Sequence, residues 1–559
     1  MKFDHIVTEL GDFGTFQKRV LLLLSPAAMS CGIQIMISVF NVGVPWHRCA
    51  LPGFHDDTWE LQGAAHANIV NASIPLDPDL ADDGGYSRCQ MRFHDNVTAE
   101  TSLTSCSRYV YDQSTYASSI VTKWDLVCDK GLLRSHCRMI VMAGLLVGSI
   151  TTGIIADMIG RKKALMAVVA LHASSSIAVA WAPSFTVYVI IRFLTGVSIS
   201  GMFLVLFVLI MELVGPSKRM LVGMVVMIFW SAGVMILGGI AYAVRDWDKL
   251  QMIVSFPILL LGGYWWVIPE SPRWLLSKNR EVEAEDIIRH AARVNEAQLP
   301  LKLFDGKNGD DVKETEKLWH AFTSPVLVLR CTILCLNWMV CSLVFYGLSL
   351  NSGNLGGSVY VNFQLMAIVE VIAYVLCLLL LNYVGRKLMY ITCMMTGGVA
   401  CLSIILPVLC SSSELQLWLT IILALVGKLG ASAAFAIIHI YSAELSPTSL
   451  RNSLMGFASL FARVGGMISP YIADLDRLVN GRIGRALPLM VFGSVTIGVG
   501  LLCLLLPETL NSHLPETVHD AKMFGRKHVR DASSSENSEE KVNKDDCKMN
   551  QKLLTASQA

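Results

Sequence analysis

Long apolar runs recur along this chain, each close to the ~20 residues that a helix needs to cross a hydrocarbon layer. With soft edges the runs are 20–42, 138–156, 164–182, 186–210, 220–242, 250–268, 326–349, 360–382, 388–408, 415–440, 453–473 and 486–506. Backbone groups in lipid must bond to one another, so twelve such runs predict twelve helices and not open strands. The first run is longer than the ~7–15-residue core of a cleaved signal, and it follows a polar or mixed segment, so it reads as a membrane helix.

The polar stretches between the runs repeat. After run two comes "ADMIGRKK", with Asp157 and Arg161; after run eight comes "LNYVGRKL", with Arg386. After run four, Glu212 is followed seven residues on by Arg219; after run ten, Glu444 is followed seven residues on by Arg451. "PESPRWL" (269–275), with Glu270 and Arg273, follows run six, and "PETL" (507–510), with Glu508, follows run twelve. Three matched pairs in one order divide the chain into two parallel six-helix halves, 20–268 and 326–511. Pro216 and Pro447 break each acid-to-base stretch, so Glu212 and Arg219, or Glu444 and Arg451, are expected to reach different neighbours. These ten charged residues are the candidate gate. Ion pairs among them are expected to link helices and halves and to hold one side of the membrane shut.

Composition supports a polytopic membrane protein. Of 559 residues, 53% are hydrophobic and only 16% charged, with mean hydropathy +0.52, against about a quarter charged in soluble domains. A net charge of +1 leaves no bulk attraction for nucleic acid. Lysine and arginine concentrate after runs two, four, eight and ten and in the linker 269–325, which puts both termini (1–19 and 512–559) in the cytosol. The loop 43–137 then faces outside. It carries the two Asn-x-Ser/Thr sequons, Asn71 and Asn96, and the cysteines Cys49, Cys89, Cys106 and Cys128. Two disulfides with any of three connectivities are expected. The linker carries a helical pattern at 281–297, and the tail from 512 has a disordered composition.

At these motifs the chain resembles the major facilitator superfamily. The cysteine- and sequon-bearing first loop, "VTKWDLVC" (121–128) and "AELSPTSLRN" (443–452) are similar to its organic ion transporter family (solute carrier family 22). "GDFGTFQKRVLLLLS", "YGLSLNSGNLGG" and "VEVIAYVL" look most like the organic cation/carnitine transporters. The resemblance implies an all-α membrane protein of the major facilitator fold that moves organic cations, zwitterions or anions across the plasma membrane.

A charge inside an apolar run usually marks a pathway or a paired site. Arg192, Glu370, Lys428 and Arg463 qualify. The resemblance reads Arg192 as a structural residue. It implies an acid at the place of Arg463 in cation-selective relatives and an arginine in anion and carnitine carriers; the lysine of anion carriers in run eight falls here at Tyr374. The expected ligand is therefore a zwitterion. Arg463 would take its carboxylate. Glu370 and the rings of Trp338, Phe345 and Tyr346 would face its amine, with Lys428 and Gln364 completing the candidate substrate site; Lys428 reads equally well as a structural partner of Glu370 or of another acid. No cofactor and no metal are expected, and sodium is the candidate coupling ion. The alternatives are an organic anion exchanger and, from another class, a non-transporting sensor on the same fold. No nucleophile–base arrangement, metal-ligand spacing or phosphate loop speaks for an enzyme.

Overall fold

Each apolar run is a helix, and the edges move where polar residues had masked helical backbone. The computed structural model describes residues 3–524 apart from 55, 77–84, 95–100, 301–302, 304–323, 411–412, 448–449, 476–481, 511, 513–514 and 516. Asn96, most of the linker's second half and the tail beyond 524 lie outside the described residues. The first half comprises α1 (Thr15–Met36), α2 (Leu132–Ile159), α3 (Arg161–Ala180), α4 (Phe185–Leu213), α5 (Arg219–Ala243) and α6 (Trp247–Ser255). From α6 the chain continues as 3₁₀ turns over Phe256–Gly263, where Pro257 removes a backbone donor and two glycines follow. The second half comprises α7 (Pro325–Leu350), α8 (Val359–Val384), α9 (Arg386–Ser403), α10 (Ser413–Leu445), α11 (Arg451–Ala473) and α12 (Arg482–Leu502).

The repeat seen in sequence recurs in packing. In the first half α2 packs on α4, α1 on α5 and α3 on α4; in the second, α8 packs on α10, α7 on α11 and α9 on α10. Between the halves the two main seams are α5–α8 and α2–α11, which exchange under the same six-helix offset. Two like bundles therefore meet along two equivalent seams. The end of the bundle bearing the long loop is called the loop face below, and the end bearing the Gly-Arg-Lys motifs the basic face.

Eleven helices are long and apolar enough to span by composition among the described residues. The twelfth, α11, is long enough but too polar. Arg463, Gly465 and Gly466 interrupt its apolar surface, and it packs closely on α7, α2 and α10. A Cβ at Gly465 would lie 2.0 Å from the Met339 carbonyl oxygen of α7. That glycine lets the two backbones approach.

Three expected boundaries need correction. The helix α1 begins at Thr15, preceded by a short helix Phe3–Glu9. The loop ends at residue 131, because α2 starts at Leu132 and includes Arg134, whose charge had made the stretch before Arg138 read as loop. The start of the tail is helical: Val518–Met523 begins with a capping box of Thr517 and Asp520. Arg330 of α7 donates to the carbonyls of Ala521 and Phe524 and so fastens this helix to the basic face.

The loop folds on itself. Its strands are β1 (His47–Cys49), β2 (Gln90–His94), β3 (Thr101–Ser105) and β4 (Tyr109–Tyr111). The antiparallel pairs are β1–β4, with His47 opposite Tyr111, and β2–β3. Disulfides join Cys49 to Cys106 and Cys89 to Cys128. Asp57 accepts from the buried Arg48 and from His66. Burial acts to raise its pKa, but the Arg48 contacts outweigh it and hold the carboxyl below its ordinary value. Asn71 is exposed, and its Oδ1 accepts from the Tyr86 hydroxyl at 2.6 Å.

The α7–α11 contact yields a paired prediction. Gly465→Ala should sharply lower the yield and melting temperature of the purified protein, whereas Gly456→Ala, on the same helix with open space around it, should leave both close to wild type. Equal melting temperatures for the two variants would contradict the close-packing account.

Candidate functional site

The basic-face motifs build two copies of one device. At Gly160 the backbone takes φ +104°, and at Gly385 φ +97°, a region that favours glycine. Each glycine ends one helix and starts the next. Its missing Cβ leaves room for a carboxylate, since a Cβ would fall 2.5 Å from Glu270 Oε2 or 2.9 Å from Glu508 Oε2. Glu270 accepts from the backbone N–H of Arg161 (2.8 Å) and Lys162 (3.1 Å) at the start of α3. Glu508 does the same for Arg386 (3.0 Å) and Lys387 (3.1 Å) at the start of α9. An acid at a helix N-terminus satisfies orphan donors and meets the positive end of the dipole. Burial acts to raise the Glu508 pKa, and backbone donors from Leu510, Thr509, Arg386 and Lys387 outweigh it, so the group stays below the ordinary value.

The motif arginines complete each device. Arg161 pairs with Glu212 at 3.1 Å and with Asp157 at 2.8 Å. Arg386 pairs with Glu444 at 3.2 Å, and Glu444 also accepts from the Thr509 hydroxyl. Pro216 and Pro447 lie between acid and base in each stretch; Glu212 and Glu444 each close on a motif arginine, and the Glu444 charge also acts on Arg451. The expectation that these pairs link the two halves is corrected: every ion pair above joins helices of one half. Arg219 is half-buried at the start of α5, Arg273 is exposed, and Arg451 is half-buried with Nε and Nη2 lacking hydrogen-bond partners. The networks are staples within each bundle.

The inner charges lie mainly in the second half. Glu370 (α8) and Lys428 (α10), 2% and 1% exposed, form an ion pair at 3.1 Å. Lys428 Nζ also donates to Ser349 Oγ (2.9 Å) and the Phe345 carbonyl, and it sits 3.5 Å from the Phe345 ring centre. Glu370 further accepts from Ser231 of α5 (2.6 Å) across the seam and from the Tyr374 hydroxyl (3.4 Å). This corrects the expected roles of Glu370 and Phe345: the place reserved for a substrate amine is filled by the chain's own lysine.

Arg463 differs. Its Nε is buried without a hydrogen-bond partner, and no carboxylate pairs with it among the described residues. The guanidinium lies beside the Tyr346 hydroxyl and near His439. Rings surround it. Trp338 stands 4.3 Å from His439, and Phe345 contacts Tyr346 edge-on at 5.2 Å and stacks on Phe435 at 5.3 Å. The Trp338 indole donates to Ser442 at 2.8 Å. A small cavity between α7, α10 and α11 lies toward the basic face, lined in part by Arg330, Cys331, Leu334, Ser442, Ser446 and Ala458; Ser442 joins it to the Trp338 indole, and Arg463 is not in its lining. Gln364 lies apart, its Oε1 against Gly238 on the α5–α8 seam.

Sequence reasoning missed His439, Phe435, Ser442 and Ser231. The first three share with Lys428 one stripe of α10 at 3.6 residues per turn, a periodicity that could have found them. Ser231 carried no signal among the other small residues of α5. Arg192, 1% exposed, reaches the Gln34 carbonyl of α1 at 3.4 Å, in keeping with a structural role.

Comparison with known proteins agrees with this architecture. The family described as "Sugar (and other) transporter" matches residues 88–520. The chain is 37% identical over 546 residues to an "Organic cation transporter protein" of Drosophila melanogaster, covering 94% of this chain and 96% of that one. It is 33% identical over 548 residues to "Organic cation/carnitine transporter 2" of Homo sapiens, covering 95% and 96%. Among solved structures it resembles the xylose transporter XylE from E. coli in a partially occluded inward open conformation, with TM-score 0.59 and 14% identity, over 89% of this chain and 100% of that one.

The buried pair gives the test of this geometry. Removing one partner of a buried ion pair costs about 3–5 kcal/mol because the other charge is left unpaired. Lys428→Met alone should therefore depress folded protein at the cell surface strongly. The double variant Glu370→Gln/Lys428→Met should recover much of it, as read by surface biotinylation and melting temperature. A double variant no better than the single would contradict the pairing.

Proposed function

The chain belongs to the sugar (and other) transporter family of the major facilitator superfamily, among the organic ion transporters of solute carrier family 22, and from that premise we propose that it carries carnitine-like zwitterions and organic cations across the plasma membrane by alternating access. It is a multi-pass transporter and not an enzyme. In the proposed orientation the loop face is extracellular and both termini are cytosolic. The observation that carries the reading is Arg463, a cation in a spanning helix with no carboxylate partner among the described residues, beside the Tyr346 hydroxyl and near His439. A substrate carboxylate would meet the guanidinium bidentately. Its quaternary or protonated amine would lie against Trp338, Tyr346 and Phe435. Reaching Glu370 requires exchange with Lys428, which already holds that carboxylate. Sodium is carried into the reading as the candidate coupling ion.

A second reading has its own support. Lys428, Glu370 and Arg463 sum to one net positive charge, which suits an organic anion.

Uptake of labelled carnitine, tetraethylammonium and glutarate, each with and without sodium, tests both. Carnitine uptake should exceed that of glutarate and fall when sodium is replaced. Arg463→Asp should cut carnitine uptake at least tenfold, a loss of ~1.4 kcal/mol or more, and retain tetraethylammonium uptake at equal surface abundance. Carnitine uptake unaffected by Arg463→Asp would reject the proposed role, and uptake of glutarate alone would select the anion reading.

A further inference from the structure

At the loop face the halves are closed by a contact that the repeat does not supply. Arg134 and Arg138 stand one turn apart on α2, 7% and 8% exposed, and both turn to Asp474, just past the end of α11 in the other half. Arg134 Nη2 lies 2.6 Å from Asp474 Oδ1, and Arg138 Nη1 3.6 Å from the same oxygen. The Ser135 hydroxyl donates to Oδ2. Tyr471 and His136 bond beside them at 2.8 Å. Tyr360 of α8 donates to the Thr115 carbonyl at 2.7 Å and so ties the loop down over the same opening.

Two buried guanidiniums thus share one carboxylate, and the Nε of each has no hydrogen-bond partner. An arginine presents five donors, so Asp474 leaves this pair unsaturated. The pair and the acid also belong to different bundles. Parting the halves at this face withdraws Asp474 with α11 and leaves Arg134 and Arg138 together on α2. In the opened face the two adjacent guanidiniums keep their mutual repulsion without the carboxylate that offset it, so they favour an incoming anion of the kind just withdrawn.

We propose that Arg134 and Arg138 form a carboxylate subsite at the loop face, filled by Asp474 when that face is closed and offered to the carboxylate of an arriving solute when it opens. The inference rests on the alternating-access reading above but not on the role of Arg463. Asp474 stands in for the ligand: its carboxylate already shows the geometry that the subsite accepts. The subsite lies on α2, the far side of the α2–α11 seam from the aromatic group around Arg463, and would select carboxylate-bearing solutes before they reach it.

The test uses the full-length transporter in intact cells. Ser135→Cys places a thiol between the two arginines, and a membrane-impermeant methanethiosulfonate reagent reports its exposure. Carnitine and glutarate should each slow labelling about fivefold, roughly 1 kcal/mol of occupancy, and tetraethylammonium should not. Arg138→Gln should abolish the protection, and Arg463→Gln should leave it intact. No labelling under any condition, no protection by either carboxylate, or protection that survives Arg138→Gln or disappears with Arg463→Gln would each overturn the subsite. A carrier that fails to transport carnitine but still shows glutarate protection would reject the zwitterion reading and keep the subsite. Should Ser135→Cys fail to reach the surface, Arg134→Gln serves: the KM for carboxylate-bearing substrate should rise about tenfold with kcat unchanged, and the KM for tetraethylammonium should not move. Equal shifts for both solutes would overturn the proposal.

Discussion

A charge carried into an apolar layer must meet a partner, and the architecture follows from how each such charge is met. At the basic face, carboxylates reach helix N-termini through glycines that lack the blocking Cβ, and arginines close the staples. In the centre Lys428 neutralises Glu370. At the loop face Asp474 answers Arg134 and Arg138. Arg192 and Arg463 both lie in spanning helices without a carboxylate among the described residues; Arg192 is engaged by the Gln34 carbonyl, and the functional reading turns on Arg463, which lies among rings.

Staples and seams divide the mechanical work. Among the described residues, the Arg161–Glu212 and Arg386–Glu444 pairs of the basic face hold helices together within a half, so they can survive a change of state unchanged. Motion must then fall on the two equivalent seams, α5–α8 and α2–α11. Contacts there are of a different kind: a serine to Glu370, a glutamine against a glycine, and the Asp474 cluster. Few groups need to exchange partners when the bundles rock, and these groups lie near the centre and at the loop face.

Much of the fold was legible because lipid imposes a simple rule on composition. Apolar runs of the right length became helices, and the three repeated motifs became one six-helix offset in packing. Where the sequence misled, charge was the reason. Arg134 read as loop and Arg138 as the edge of a run, because their counter-ion lies 340 and 336 positions away. Pro216 already indicated that Glu212 and Arg219 reach different neighbours, but the sequence did not say which; the partner of Glu212, Arg161, lies on another helix of the same half. Two opposite charges inside apolar runs left Lys428 readable either as a partner of Glu370 or as part of the substrate site, and only the packing of α8 on α10 shows the pair. Polar α11 was still legible as a span because its length and the repeat outweighed its low apolarity.

Binding to the purified protein tests the central claim most directly, since it needs neither orientation nor a coupling ion. Ligand at ~100 times its Kd stabilises the folded state by about 2.7 kcal/mol. Carnitine should therefore raise the melting temperature of the wild-type protein by several degrees and leave Arg463→Gln unmoved, with tetraethylammonium stabilising both alike. An equal carnitine-induced shift in the two proteins would contradict the claim that Arg463 holds the substrate's carboxylate.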